Sequence, residues 1–576
     1  MTDGTLSASK SMGIVRSRAM GLEWFYGFAL LLLVAFITLA PVLYVVIESF
    51  DVARLGAPYQ FGLDGWRDMI ASQRTLNAAF YSLILSLRVP LAIVIALVMS
   101  WLLIRFDIPG RRFIELSLMF GFFLPSVPMM MGWILLLDKN YGLLNVVAQK
   151  LLFLEEPIFS IYSIPGIMWV HLSLTTIPIM VIMLAPALRQ IDAAYEEAGE
   201  MSGASALTIF FRVTLPLLSP AILTAFIAGL IRSLETFEVE QLLGVPAGIY
   251  VYATRIFEMI SREPPLLSQA LALSTVFLVL LFMLAGYYQI YLRQSGNRAT
   301  LTGKGLRLQL RKRAFAPLIS LVLILYVLFS IFLPLLVLIS GSLNKLFGFF
   351  FLEDPWTFQH WLGVFGDDRF VRSVINSVSL GLTVGLLGCL LFALLSWVIV
   401  RSRLWSRDIL SFLVWLPWAI PGLILGLTLL SLVLNVPGLS KLYGTLVPLI
   451  LALIIKELPI GVQMIRTSIA QTSMELEEAA KMSGAGFWQI FRRITLPLIA
   501  PTLISVFLLI FASTIRDIST VVLIAAPGTR TLSLLMFDFA SSGRFESAAV
   551  VGVIIAFISL CVAAIAFRLG HRQDVR

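Results

Sequence analysis

Two stretches of the chain set acidic, small and helix-breaking residues in one repeated order. Residues 196–220 read EEAGEMSGASALTIFFRVTLPLLSP and residues 477–501 read EEAAKMSGAGFWQIFRRITLPLIAP, a constant offset of 281 with no gap. The first copy supplies Glu196, Glu197, Ala198 and Gly199, then Gly203, then Val213, Leu215 and Pro216. The second supplies Glu477, Glu478, Ala479 and Ala480, then Gly484, then Ile494, Leu496 and Pro497. Ala193–Met201 and Met474–Met482 predict short helices with small residues on one face, where another protein's backbone can approach closely. Gly203 and Gly484 allow a sharp turn that a β-carbon hinders. A second helical stretch follows at 206–213 and 487–494, and Leu-Pro then opens a longer helix, since proline suits a first helical turn. The chemistry is that of a docking handle. A loop lying flat on lipid needs a basic polar face, whereas the first copy gathers Asp192, Glu196, Glu197 and Glu200.

A second group of ionisable residues stands towards the end of the fifth apolar run of each half: Glu235, Glu238 and Glu240 in one, Arg516 and Asp517 in the other. Ionisable groups at membrane depth are costly and often functional, and Glu235 and Glu238, three apart, share a helix face. They read either as a polar lining of a pathway or as a structural network, with Arg232 on Glu235 and Arg516 on carboxylates across the molecule. Tyr250, Tyr252 and Tyr291 read as interface anchors. Other chemistries find no residues. His171, His360 and His571 are scattered, and Cys389 and Cys561 sit in apolar runs, so neither a metal motif nor a disulfide framework is expected. The Gly303-Lys304 pair is followed by Gly305 and has Arg298 five before it, so it is not a P-loop. No catalytic triad or paired catalytic carboxylates stand out.

The elements that must position these residues are membrane helices. Of 576 residues 59% are hydrophobic and 13% charged, against roughly 45–50% and 25% in soluble chains. The net charge of +9 comes from basic residues between apolar runs, a topology signal rather than a nucleic-acid footprint. At roughly 20 residues per crossing, twelve spans are expected. In the first half they fall near 25–47, 80–104, 113–137, 166–188, 218–239 and 268–292; in the second, near 318–341, 375–400, 409–434, 444–466, 499–524 and 548–568. The polar residues before the first span precede a span-length run, so they read as a tail and not a cleaved signal. Lys10, Arg16, Arg18, Arg105, Arg111, Arg112, Arg401, Arg403, Arg407, Arg568, Arg572 and a connector rich in Lys and Arg fall on one side if every run crosses. That side, with both termini, is then cytoplasmic. Acidic residues from Asp51 to Asp368 populate the opposite loops.

The halves repeat each other beyond the EEA segments. Pro246 aligns with Pro527 at the same offset, and Trp101 with Trp397, Leu124-Pro125 with Leu416-Pro417, Pro41 with Pro334 and Trp66 with Trp361 at offsets of 292 to 296. The first half therefore holds an extra dozen or so residues, which fit best at 138–164. Six spans per half make the repeats parallel, related by an axis along the membrane normal. The expected division is a tail at 1–24, a six-helix repeat at 25–292 with its loop at 193–217, a basic connector at 293–317, a second repeat at 318–568 with its loop at 474–498, and a tail at 569–576. The fold class is an all-α polytopic membrane protein.

The spacing EAA-x3-G-x9-[IV]-x-LP resembles the EAA loop of permease subunits of binding-protein-dependent ABC importers, with Gly199 in place of the second alanine. The resemblance spans all but the first twenty residues and the connector. It implies the type I importer permease fold in a bacterial inner membrane, with the two loops docking two copies of a cytoplasmic ABC ATPase. ATP and Mg2+ would be held by that partner, no cofactor by this chain, and a periplasmic binding protein would deliver substrate. The segment after the fifth span, SLETFEVEQLLGVPAGIYVYATRIFEMI and its counterpart STIRDISTVVLIAAPGTRTLSLLMF, is similar to the ferric-iron branch. A hard cation suits the oxygen ligands of the acidic group. Branches importing thiamine, polyamine, sulfate or phosphonate share the architecture. An ion-coupled secondary transporter with parallel six-span halves is a further alternative.

Overall fold

A computed structural model describes residues 27–53, 58–295, 315–402 and 406–571. The N-terminal tail with Lys10, Arg16 and Arg18, most of the connector, Arg403 and Arg572 lie outside the described residues. The first repeat contains α1 (Gly27–Glu48), α2 (Gln73–Arg105), α3 (Arg111–Phe123), α4 (Ser126–Leu137), α5 (Leu143–Leu152), α6 (Ile164–Gln190), α7 (Ala193–Met201), α8 (Ala206–Leu234), α9 (Tyr252–Ile260) and α10 (Leu267–Ser295). The second contains α11 (Ala316–Gly341), α12 (Asp368–Arg401), α13 (Arg407–Ala419), α14 (Gly422–Asn435), α15 (Val447–Gln471), α16 (Glu475–Met482), α17 (Phe487–Leu498), α18 (Ala500–Arg516), α19 (Leu532–Ser541) and α20 (Phe545–His571). Short helices at Asp64–Ala71 and Gln359–Phe365 precede α2 and α12.

Nine described helices are long and apolar enough to cross a bilayer alone, and three bent pairs bring the number up to twelve if each is one span. The third span of each half is not the straight helix its hydropathy implies. α3 and α4 meet at 108°, and α13 and α14 at 102°. The breaks fall at Leu124-Pro125 and at Ile420-Pro421, where proline restricts the preceding residue to extended backbone. Each pair runs the length of a neighbouring span. α3–α4 runs beside α11, with Gly110 against Ile324, Gly121 against Ile331, Gly132 against Pro334 and Gly341 against Leu135. α13–α14 runs from Ser411, bonded by Arg466 of α15, to Asn435, which donates to Tyr44 at the far end of α1. The fifth spans end early, at Leu234 and Arg516, before Glu235, Glu238 and Asp517, which the hydropathy count had included. α17 and α18 bend by 76°, while α8 is continuous through the equivalent position. Both repeats carry the same proline pair, so proline does not explain that difference.

The extra residues of the first half lie where expected. Between α4 and α6 stand residues 138–163, against 436–446 between α14 and α15. They hold α5 and a loop pinned by Asn145, whose Nδ2 donates to the carbonyls of Asp138 (2.9 Å) and Phe159 (3.0 Å).

Helices in lipid associate by close packing rather than by the hydrophobic effect. On α12, Gly381 and Gly385 lie one turn apart and receive Phe511 and Phe507 of α18. A β-carbon at either glycine would stand 2.6 or 2.7 Å from a ring carbon. The first repeat reverses the device: Gly229 of α8 receives Val89 of α2. The sequence repeats are not independent bodies. α1 packs on the second half, where Gly27, Leu30 and Leu33 line a crevice with Leu394, Trp397 and Phe487. α11 packs on α3–α4 of the first half. Gly132→Ala should therefore weaken the joining of the halves, because its Cβ would sit 2.1 Å from the Pro334 carbonyl oxygen and backbone cannot step aside. Overpacking of this kind costs about 1–3 kcal/mol. A lower unfolding midpoint of the detergent-solubilised chain is the expected reading.

Candidate functional site: paired docking hairpins and a charged layer between the repeats

α7 starts at Asp192, whose carboxylate accepts from the Ala194 N–H (3.0 Å). It ends in a turn where Gly203 takes φ +78° and its N–H donates to the Glu200 carbonyl. Gly484 repeats this after α16, with φ +82° and a bond to the Lys481 carbonyl. A β-carbon at either glycine would meet nothing within 4 Å, so backbone conformation and not space requires glycine there. Gly199, the departure from the motif, has its own cause. A β-carbon there would lie 2.9 Å from Ile209 Cγ1, so the first hairpin closes more tightly on a smaller residue.

The second arm of each hairpin widens by one π turn, Phe210–Thr214 and Phe491–Thr495, just before Leu-Pro. Three further π turns, at 172–176, 240–244 and 328–332, also precede a proline by two residues. Proline lacks an N–H and its ring crowds the carbonyl four residues back, and a π turn relieves both. In the hairpins the wider turn carries Thr214 and Thr495 inward. Thr214 Oγ1 donates to Glu196 Oε1 at 2.9 Å and Arg105 Nε donates to the same oxygen at 3.2 Å. In the second repeat Thr495 Oγ1 lies 3.2 Å and Arg401 Nε 3.5 Å from Glu477 Oε1. Arg401 also donates to the Thr472 carbonyl at 2.7 Å. Each hairpin is thus tied to the end of its repeat's second span by a buried Arg–Glu–Thr group.

This corrects the reading of the motif's first acid. Glu196 and Glu477 are 2% and 6% exposed, and they hold the hairpin from inside rather than face a partner. Glu197, Ala198, Pro216, Glu478, Ala479 and Pro497 are exposed, while Gly199, Leu215, Ala480 and Leu496 are half-buried. The most prominent residues were not singled out by the motif. Met201 and Met482 are 91% and 89% exposed, flanked by exposed Tyr195 and Leu207 in one hairpin and Leu476 and Trp488 in the other. All three pairs are related by 281. Large apolar residues recurring at loop positions of a duplicated chain were the available signal.

The ionisable residues beyond the fifth spans meet between the repeats. Ser519 N–H donates to Glu238 Oε1 at 3.2 Å, and these two positions are equivalent under the repeat, so they straddle the pseudo-axis. Arg516 crosses to the first repeat, donating to the Phe122 carbonyl at 2.8 Å with its guanidinium 5.5 Å from the Phe122 ring centre. Asp517 is buried, pairs with Lys456 and accepts from Thr520 N–H at 2.9 Å. Glu457 accepts from Ser513 at 2.6 Å. Glu240 is fully buried, with His171 Nε2 at 2.8 Å, Thr236 Oγ1 at 2.7 Å and Arg88 Nη1 at 3.6 Å. Arg232 stands 3.6 Å from Glu235. The Arg232–Glu235 pair is the one the structural-network reading expects, but Arg516 reaches a backbone carbonyl across the molecule rather than a carboxylate; Arg88, His171, Lys456 and Glu457 join the layer as members that spacing alone did not pick out.

Two cavities flank this layer. One of about 410 Å3 lies on the side of the hairpins, walled by α2, α6, α8, α13 and α15. The other, about 570 Å3, lies on the opposite side, between Met130, Tyr162 and Gln241 of the first repeat and Ala540 and Phe545 of the second. In the chain between their lining residues Thr236 and Gln241, Phe237 is fully buried and packs against Phe257 and Phe537 with ring centres 5.2 and 6.0 Å apart. None of Glu235, Glu238, Glu240, Arg516 and Asp517 is among the described lining of either cavity; Arg232 is. On the rim opposite the hairpins, Glu258 of α9 gathers Arg74 (3.1 Å), Arg262 (2.6 Å) and Arg255. Burial pushes its carboxyl up, but the hydrogen bonds and charges of Arg255 and Arg262 outweigh this and hold it below the ordinary carboxylate value.

The chain was compared with known proteins. The family described as binding-protein-dependent transport system inner membrane component matches residues 88–292 and 385–575. A probable ABC transporter permease of Sinorhizobium fredii, y4fN, is 27% identical over 96% of this chain and 98% of its own length. The Fe(3+)-transport system permease FbpB 2 of Haemophilus influenzae is 23% identical over 90% of this chain and 93% of its own. A putative ferric transport permease of the same organism, FbpB 1, is 26% identical over 64% of this chain and 57% of its own. Shorter stretches match permeases named for sulfate and 2-aminoethylphosphonate. With the family matched twice in one all-helical, multi-pass membrane chain, this protein belongs to the inner membrane components of binding-protein-dependent transport systems, in the form of two fused permease repeats.

Proposed function

We propose that the chain is the whole membrane-spanning pathway of an ATP-driven importer, carrying ferric iron inward from a periplasmic binding protein. The observation that carries this reading is the pair of hairpins, built alike on both repeats and each presenting an exposed methionine among apolar neighbours. Such knobs fit clefts on two copies of a cytoplasmic ATPase, which would hold ATP and Mg2+; this chain supplies no nucleotide-binding motif. Arg105 and Arg401 pair with hairpin acids, and Arg111, Arg112 and Arg407 follow them in the same loops, which supports a cytoplasmic side at the hairpins; an even number of spans would bring both termini to it. ATP binding draws the ATPases together, the hairpins follow, and rigid rocking of the two repeats opens the Phe237 layer outward. Hydrolysis returns the pathway to the hairpin side.

Ferric iron is supported by relatives named for it that align over most of this chain, one of them over 90% of this chain and 93% of its own length. Uptake of radiolabelled ferric iron by iron-starved cells with other iron systems removed tests it. Gene-dependent uptake competed by unlabelled iron, and not by thiamine, polyamine, sulfate or phosphonate, is expected. Absence of gene-dependent iron uptake refutes iron and leaves the family membership standing.

A further inference from the structure

The cavity on the hairpin side carries basic side chains on its wall. No aspartate or glutamate is among the described residues that line it, whereas Arg88, His171 and Arg232 are. Arg88 and His171 are buried and held by Glu240. Arg232 differs: its side chain is 52% exposed although it lies deep within the bundle, and its carboxylate neighbour Glu235 is itself only 13% exposed. Across the cavity stand Trp415 and Trp418, with ring centres 5.5 Å apart. A guanidinium left to water between low-dielectric walls concentrates anions, since such walls focus its field. Its planar fork matches two oxygens of a carboxylate, phosphate or similar group. At about 410 Å3 the cavity also far exceeds a bare metal ion.

We propose that Arg232 is the contact for an oxyanion in this cavity, either travelling free or as a ligand on ferric iron. The proposal rests on the permease reading and not on iron. The oxygen chemistry expected of the acidic group would thus arrive with the substrate rather than from Glu235 and Glu238.

The test reads the cavity's charge directly in the purified full-length chain. Quenching of Trp415 and Trp418, isolated by difference from a W415F/W418F variant, is measured with iodide and with caesium. Iodide should quench at least about threefold more effectively, inorganic phosphate should protect against it, and Arg232→Gln should remove both effects while Arg232→Lys keeps the first. Equal quenching by the two ions, or a ratio that Arg232→Gln leaves alone, overturns the proposal. Dual-label uptake with 32P-phosphate and 55Fe separates the sources. Phosphate entering in step with iron assigns a metal-borne oxyanion, and phosphate entering without iron assigns a free one and refutes iron alone. Iron entering with no labelled oxyanion, at wild-type rate in Arg232→Gln, overturns the proposal while sparing the iron reading.

Discussion

Glu477→Ala should abolish ATP-driven uptake while the chain still reaches the membrane in normal amount. Arg401, 6% exposed in its side chain, would be left buried without its carboxylate. Removing one partner of a buried pair costs about 3–5 kcal/mol. That cost falls on the hairpin, because α16 is short and leans on few neighbours, whereas the spans around it pack on long faces. At about 1.4 kcal/mol per factor of ten, the ordered hairpin becomes rarer by on the order of a hundredfold or more. Glu196→Ala should act alike through Arg105. Removing both charges together, as in R401M/E477L, relieves the stranded arginine, and such swaps are often neutral. Uptake should then return to within about tenfold of wild type. Immunoblotting checks abundance, and limited proteolysis within 474–498 checks hairpin order. Full uptake by Glu477→Ala would show that the buried group does not position the hairpin.

Met201→Asp with Met482→Asp should release the ATPase from the membrane chain. Both methionines are almost wholly exposed and take no part in the chain's own core, so the variant should insert and fold as wild type. An aspartate at the centre of a docking surface must shed its water without a partner. Truncations at such positions cost about 2 kcal/mol or more, which is on the order of thirtyfold in affinity for each hairpin. Each single variant should therefore keep one ATPase and the double variant none, read as ATPase recovered with affinity-purified chain. Full recovery with the double variant would place docking elsewhere.

Much of the hairpin was legible because the chain states it twice. The bounds Ala193–Met201, and Glu475–Met482 within one residue of the expected start, follow from small residues followed by a glycine with left-handed backbone. The burial of Glu196 was not legible. Its partner Arg105 lies 91 residues upstream, and nothing local distinguishes an acid that faces inward from its neighbour Glu197. Hydropathy counted twelve crossings but could not register a bend, since α3 and α4 are as apolar when folded at 108° as when straight. It also ran the fifth spans through Glu235 and Asp517, past the ends of both helices; at the second end the Asp517 carboxylate accepts from Thr520 N–H. Lys456 and Glu457 were visible in an apolar run, but their partners on α18 and in the loop after it belong to tertiary structure. The packing of α1 and α11 on the opposite repeat has no signature in either span.

On the proposed function, one chain carries two equivalent docking sites for an ATPase. Native mass spectrometry of the complex purified through this chain from a bacterial membrane tests it most directly. One copy of this chain with two copies of a single ATPase is predicted. One ATPase per chain, or a chain purified in active form with none, would contradict the account.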